Sequence, residues 1–123
     1  MIDLELRRKA LEASGWTDVD YCGHPHFLVG IPPKDAKDVK PCDSYGGKRF
    51  RHAPAVESDP SAFWLWFLAW CGDRYWWRLE PMTEGFQFEL CVEGHYSERV
   101  IGEGPTVEAA GCRAVIVKIE RRV

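Results

Sequence analysis

The feature of this sequence that most constrains its fold is the apolar run at residues 62–71, Ala-Phe-Trp-Leu-Trp-Phe-Leu-Ala-Trp-Cys. Helix-boundary residues flank it: Ser58 or Asp59 suits the N-cap and Pro60 suits the first turn. Gly72 suits the C-terminal end. A surface helix usually has one apolar stripe, whereas this helix would be apolar on every side. The run therefore predicts a helix that needs cover on more than one side, from the rest of the chain or from a second subunit.

The length and composition indicate one folded domain. The chain has 123 residues, of which 46% are hydrophobic and 28% are charged, which is typical of a chain with a packed core. Its 16 basic and 19 acidic residues give a net charge of −3, so electrostatic attraction to bulk nucleic acid or to an anionic membrane is not favoured. We expect a single domain over residues 1–123.

Hydrophobic periodicity predicts two further helices and a meander. A first helix is expected over residues 3–14, ending at Gly15, and a last helix from a Thr106 cap to about Arg121. Between the second and last helices, residues 75–80, 86–93 and 96–101 alternate between apolar and polar side chains. Alternation with period two predicts an antiparallel three-stranded meander with one apolar face and one polar face.

The segment from about residue 17 to 57 shows neither the periodicity of a helix nor the alternation of a strand. It contains prolines and the pair Gly46-Gly47, with one strand-like run at residues 27–31. We therefore expect an inserted irregular arm at about 17–57. The predicted fold class is α+β, in the order helix, arm, helix, three-stranded antiparallel meander, helix, arranged as a sandwich.

Four segments carry a family resemblance: residues 7–16, where a helix ends in Gly15-Trp16; residues 54–60, which lead into the aromatic helix; the hairpin of residues 77–90; and residues 104–114, with an Ala-Gly-Cys-Arg-Ala helix. Together they resemble the phage ABA sandwich domain family, small phage and prophage proteins of mostly unassigned function. The resemblance implies a phage or prophage origin and an α/β sandwich. It implies no catalytic residue, because each segment is a structural signature.

The N-terminal residues and the cysteines indicate a cellular location. Early acidic residues and the absence of a long apolar run do not fit a signal peptide, and the run at 62–71 is about half the length that a bilayer requires. Five scattered cysteines without a Cys-x-x-Cys pair favour reduced thiols. We expect a protein of the bacterial host cytoplasm.

One group of residues in the arm suggests a metal site. Cys22, His24, His26 and Cys42 are thiol and imidazole groups in a segment with little core of its own, and Zn²⁺ could hold such a segment together. Established zinc modules use paired ligands at set spacings, which these residues lack. The alternative is an ordered arm in which His24 and His26 share one face of an extended segment, with no cofactor.

A second group suggests an anion contact. Lys48, Arg49 and Arg51 concentrate positive charge beside the backbone amides that Gly46 and Gly47 leave accessible. The alternative is a solvated cationic turn, which is more common.

The polar face of the meander suggests a third group. In a regular register Trp76, Arg78 and Gln87 are neighbours on this face, together with Glu80 and Glu89. An exposed Trp beside Arg can stack on a planar ring, and a neighbouring amide or carboxylate can bind the edge of that ring. The alternative is that Trp76 is covered and Arg78 and Glu80 belong to an ordinary cross-strand network.

These features favour a non-enzymatic binding protein, although catalysis stays open. The leading hypothesis is a phage or prophage protein that sequesters a small anionic, ring-bearing ligand, such as a nucleotide-derived signal of host immunity. One alternative is an inhibitor that binds a host protein through a protein–protein interface. Another is a metal-assisted hydrolase using Cys22, His24, His26 and Cys42. The apolar second helix also predicts a homo-oligomer.

Overall fold

The computed structural model describes residues 2–21, 28–34, 50–92 and 94–121. The protein is α+β, with three helices and two three-stranded antiparallel sheets. The helices are α1 (Leu4–Ala13), α2 (Pro60–Cys71) and α3 (Val107–Glu120). The strands are β1 (Thr17–Tyr21), β2 (Leu28–Ile31), β3 (Arg51–His52), β4 (Tyr75–Met82), β5 (Gly85–Val92) and β6 (His95–Gly104).

The three helices begin where their capping residues predict. The carboxylate of Asp59 accepts a hydrogen bond from the Ser61 amide at the start of α2. The Thr106 hydroxyl accepts one from the Ala109 amide at the start of α3. Asp3 caps α1 in the same way. The predicted helices are therefore confirmed, each within one or two residues at its ends.

The larger sheet has the strand order β4–β5–β6, which confirms the predicted meander. Met82 pairs with Gly85 across a two-residue loop, so β4 continues through Pro81, beyond the expected end at residue 80. β6 likewise continues to Gly104, beyond the expected end at residue 101. Both strands extend because backbone pairing with β5 continues past the residues that break the apolar pattern.

The smaller sheet has the order β1–β2–β3 and lies in the segment that was expected to be irregular. The expected strand at 27–31 is present as β2, whereas β1 and β3 were not predicted. In β1 only Val19 is buried, and Asp18 has a φ of 52°, which coincides with a register irregularity against β2. This strand forms because β2 supplies its backbone partners, and its own side chains carry little strand signal.

The core lies between the larger sheet and the helices. Phe63 and Phe67 of α2 are fully buried, and the Phe67 ring centroid is 5.1 Å from that of Phe88 on β5. α3 approaches β6 at Gly102, where a Cβ atom would lie 2.2 Å from the backbone nitrogen of Ala114. The aromatic run of α2 therefore supplies the centre of the core.

The opposite side of α2 remains exposed. Leu65 is 46% exposed and Leu68 is 51% exposed, although both belong to the uncharged helix. Within the described residues, the fold covers one side of the apolar helix and leaves two large side chains accessible to water.

Candidate binding face

The polar side of the larger sheet carries the sequence-predicted residues that the structure brings together. Arg78 pairs with Glu89, and Glu80 pairs with Gln87, across the β4–β5 ladder. Side chains alternate along each strand, so the same side includes Ile101 and other β6 residues. We call this side the outer face; its residues are Trp76, Arg78, Glu80, Gln87, Glu89, Arg99, Ile101 and Glu103.

Two ion pairs link charges on the outer face. Arg78 forms an ion pair with Glu80 on its own strand. Arg99 of β6 donates to Glu89 of β5, with 3.3 Å between Nη1 and Oε1. Both arginines therefore have a carboxylate partner, which lies on the same strand for Arg78 and on the neighbouring strand for Arg99.

Two large apolar side chains are accessible on the same face. Trp76 is 39% exposed and Ile101 is 43% exposed. Trp76 lies opposite Cys91, which is buried, and Ile101 lies opposite Glu89. The sequence indicated Trp76, but it did not single out Ile101 or Arg99.

The charge of the outer face does not favour an anion. The face carries two arginines against three glutamates, and both arginines contact glutamates. An anionic ligand would have to compete with these carboxylates for the guanidinium groups. The face is better matched to a neutral or mixed-charge partner.

Of the three cationic residues of the predicted turn, the structure describes only Arg51. Arg51 belongs to β3 in the smaller sheet, where its Nη1 donates to the carbonyl oxygen of Phe50. Lys48 and Arg49 lie outside the described residues. The proposal of a combined site of Trp76 with the turn therefore stays a prediction.

The suggested metal ligands also lie outside the described residues; they are Cys22, His24, His26 and Cys42. Within the described ranges, no group of three or more His, Cys, Asp or Glu side chains could hold a metal ion. The zinc hypothesis stays a prediction.

A buried ion pair lies away from the outer face and was not foreseen. Arg7 of α1 donates through Nε to Oε1 of Glu57 at 2.7 Å and through Nη2 to Oε2 at 3.1 Å. The Asp3 amide also donates to Oε2 at 2.9 Å. Burial by itself raises the pKa of Glu57, but these hydrogen bonds and the charge of Arg7 outweigh it and lower the pKa. The pair holds α1 against the segment that leads into α2.

The described cysteines are buried thiols. Burial raises the pKa of Cys71 to about 12, against a smaller opposing effect of Arg74. Burial also raises the pKa of Cys112, and Glu57 and Glu108 contribute in the same direction. A thiol with a raised pKa is a poor nucleophile at neutral pH, so these two positions do not suit covalent catalysis.

In comparisons with known proteins, no family model, no curated protein and no solved structure matches this chain. The phage ABA sandwich resemblance therefore stays a prediction. None of the helices in the described ranges is long and apolar enough to cross a bilayer.

Proposed function

We propose that this protein acts by binding another protein through the outer face of its larger sheet. One observation carries the proposal: two accessible apolar side chains, Trp76 and Ile101, lie on a sheet face whose arginines are paired with glutamates. Protein interfaces combine apolar anchors, often Trp and Arg, with a polar surround.

The shape and charge of the face support a protein rather than a small anion. A sheet face contacts its ligand from one side, whereas small-molecule sites are usually concave and surround most of the ligand. The paired charges suit a partner that also presents both signs of charge. The shape and charge of this face thus favour an inhibitor that binds a host protein over a protein that sequesters a nucleotide.

The test compares binding by matched variants. Ile101→Thr removes an apolar contact and keeps a β-branched residue in β6, and Trp76→Ala removes the indole of β4. A protein captured from bacterial lysate by the unmodified chain is purified, and its affinity for each variant is measured by calorimetry. We expect both variants to bind it about tenfold more weakly or worse, as for residues at the centre of an interface.

The matched control is Ile2→Thr, which makes the same chemical change at an exposed isoleucine outside the sheet. This variant should bind like the unmodified chain. Equal affinities for Ile101→Thr, Trp76→Ala and the unmodified chain would contradict the proposal, provided that all variants keep their circular dichroism spectra.

A ring-bearing ligand is the second candidate, because Trp76 lies two residues from Arg78 on one face of one strand. An indole beside a guanidinium can hold a planar ring, and Gln87 supplies an amide for its edge. A nucleotide panel in a thermal-shift assay tests this candidate. A ligand-induced shift that Trp76→Ala and Arg78→Ala remove would favour it over the protein partner.

The biological setting of either partner is part of the proposal. A phage or prophage origin derives from the family resemblance, and a host protein or an immune signal as target follows from that origin. The sandwich arrangement derives from the order of the predicted elements and from the resemblance. The metal-assisted hydrolase has no support among the described residues and depends on Cys22, His24, His26 and Cys42.

A further inference from the structure

We propose that two copies of this chain join through the edge of β4, antiparallel and centred on Leu79, so that their larger sheets form one six-stranded sheet. The occupant of this edge is thus a second copy of the same chain. The proposal goes beyond the binding function, because it uses the backbone edge of β4. It shares Trp76, Arg78 and Glu80 with the outer face, whereas Ile101 of β6 takes no part in it.

Among the described residues, β5 is the only strand neighbour of β4. The β4–β5 register runs without irregularity from Tyr75 to Met82. By contrast, the pairing of β6 with β5 is irregular near Val92, and α3 packs closely against β6 at Gly102. Bulges and covering helices are common protections of sheet edges. β4 is the long, regular edge of this sheet.

The hairpin loop fixes which backbone groups of β4 point away from β5. A two-residue loop closes on a hydrogen-bonded pair, here Met82 with Gly85, and hydrogen-bonded and non-hydrogen-bonded pairs alternate from there. The N–H groups of Trp77 and Leu79 therefore point outward. Pro81 falls at another outward position, where its missing N–H costs the sheet nothing.

The side chains along the outer side of β4 form a self-complementary pattern. In chain order they are Trp76, Arg78, Glu80 and Met82. Reversing the strand about Leu79 places Arg78 opposite Glu80 of the other copy, and Trp76 opposite Met82. Trp76 and Met82, 39% and 41% exposed, would then cover each other. Opposite charges and apolar pairs directly across an antiparallel ladder are stabilising.

Neighbouring registers fit less well. A two-fold centred on residue 78 places Arg78 opposite itself, and one centred on residue 80 places Glu80 opposite itself; like charges directly opposite are destabilising. Centring on Leu79 also forms backbone hydrogen bonds between the copies. Each Leu79 N–H donates to the Leu79 carbonyl oxygen of the other copy, and each Trp77 N–H donates to the Pro81 carbonyl oxygen of the other copy.

The exposed side of α2 adds apolar surface near this edge. The Trp64 ring centroid lies 5.3 Å from that of Trp77, and Trp70 stacks on Tyr75, so α2 lies over the inner side of β4. Joining the two β4 edges brings two α2 helices onto the same side of the joined sheet. Leu65 and Leu68, exposed in one copy, are then available to pack beside the junction.

The experiment measures the dimer dissociation constant of the whole chain by sedimentation equilibrium. Arg78→Glu places two carboxylates opposite each other at both symmetric contacts, and Glu80→Arg places two guanidiniums there. Each single reversal should weaken the dimer by about tenfold or more, given the size of cross-strand charge effects. The double variant Arg78→Glu with Glu80→Arg restores opposite charges and should recover the dimer.

The control reverses a charge on the same face but away from this edge. Glu103→Arg on β6 changes net charge as Glu80→Arg does and should leave the dissociation constant unchanged. A monomeric unmodified chain at high micromolar concentration overturns the proposal. So does a dimer that folded single-reversal variants keep, or one that the double variant fails to recover.

A covalent trap tests the register without charge. Trp76 and Met82 face each other across the junction as a non-hydrogen-bonded pair, with about 4.5 Å between their Cα atoms, which a disulfide can span. Oxidised Trp76→Cys with Met82→Cys should therefore give a covalent dimer, and Met82→Cys alone should not. A folded double variant that stays monomeric under oxidation contradicts this register. Ile101→Thr should leave the dimer intact and weaken only the binding of the partner protein. Failure of the dimer proposal can therefore be told apart from failure of the proposed function.

Discussion

Arg7 and Glu57 form a buried, two-pronged ion pair between parts of the chain that are 50 residues apart. Nε of Arg7 lies 2.7 Å from Oε1 of Glu57, and the Glu57 side chain has no exposed surface. The Asp3 amide also donates a hydrogen bond to the Glu57 carboxylate. Since both ions are removed from water, the contribution of each to the stability of the fold depends on the presence of the other.

Removing one partner should therefore destabilise the fold strongly. Arg7→Ala leaves a buried carboxylate without its counter-ion, and we expect the free energy of unfolding to fall by about 3 to 5 kcal/mol. Urea denaturation followed by tryptophan fluorescence measures this change. Arg113→Ala is the control, because its guanidinium donates to the Glu103 carbonyl oxygen at an exposed position. A loss below about 1 kcal/mol for Arg7→Ala, as for an exposed pair, would contradict the assignment.

The same pair should make stability depend on pH. The folded state lowers the pKa of Glu57 below its ordinary value of 4.5, so the stabilisation is present above that value and is lost as the pH falls toward the lower, folded pKa. Thermal melts between neutral and acidic pH should show a smaller decline for Glu57→Gln than for the unmodified chain. Glu5→Gln in the first turn of α1 serves as the comparison. Identical pH dependence of Glu57→Gln and the unmodified chain would show that Glu57 is not the titrating group.

Gly102 should tolerate no side chain. A Cβ atom there would lie 2.2 Å from the Ala114 nitrogen and 2.5 Å from the Ala110 carbonyl oxygen, both of them backbone atoms of α3. We expect Gly102→Ala to lower the free energy of unfolding by about 1 to 3 kcal/mol or more, since α3 must move away from β6. Ile101→Ala, next to it on the opposite side of the strand, should cost less. If both variants denature at the same urea concentration, the close approach of α3 to β6 is wrong.

Cys71 and Cys112 should resist alkylation in the folded protein. With the pKa of Cys71 at about 12 instead of 9.0, its thiolate fraction at neutral pH is about a thousandfold lower, and burial also blocks the reagent. Iodoacetamide labelling and peptide mass spectrometry should find both cysteines unmodified in buffer and modified in urea. Rapid labelling of either one in buffer would indicate that the region around it opens.

Local residues were sufficient to predict the helices and the meander. Asp59, Pro60 and Gly72 mark the ends of α2 through contacts within a few residues, and the alternation along β4 and β5 places Arg78 beside Glu89 and Gln87 beside Glu80. The predicted neighbours on the outer face were therefore correct. The contributions of Ile101 and Arg99 were missed, because β6 alternates less clearly than β4 and β5.

The sequence by itself determined the caps, the aromatic helix and the sides of β4 and β5 that face the core, since these follow from interactions between residues close in the chain. Only the tertiary structure decided that Glu57 contacts Arg7 and that β1 and β3 pair with β2. It also decided that, among the described residues, β4 pairs with β5 alone. Each of these contacts joins separate segments of the chain. The packing of the whole core sets which segments pair, and the periodicity of a single segment does not identify its partner.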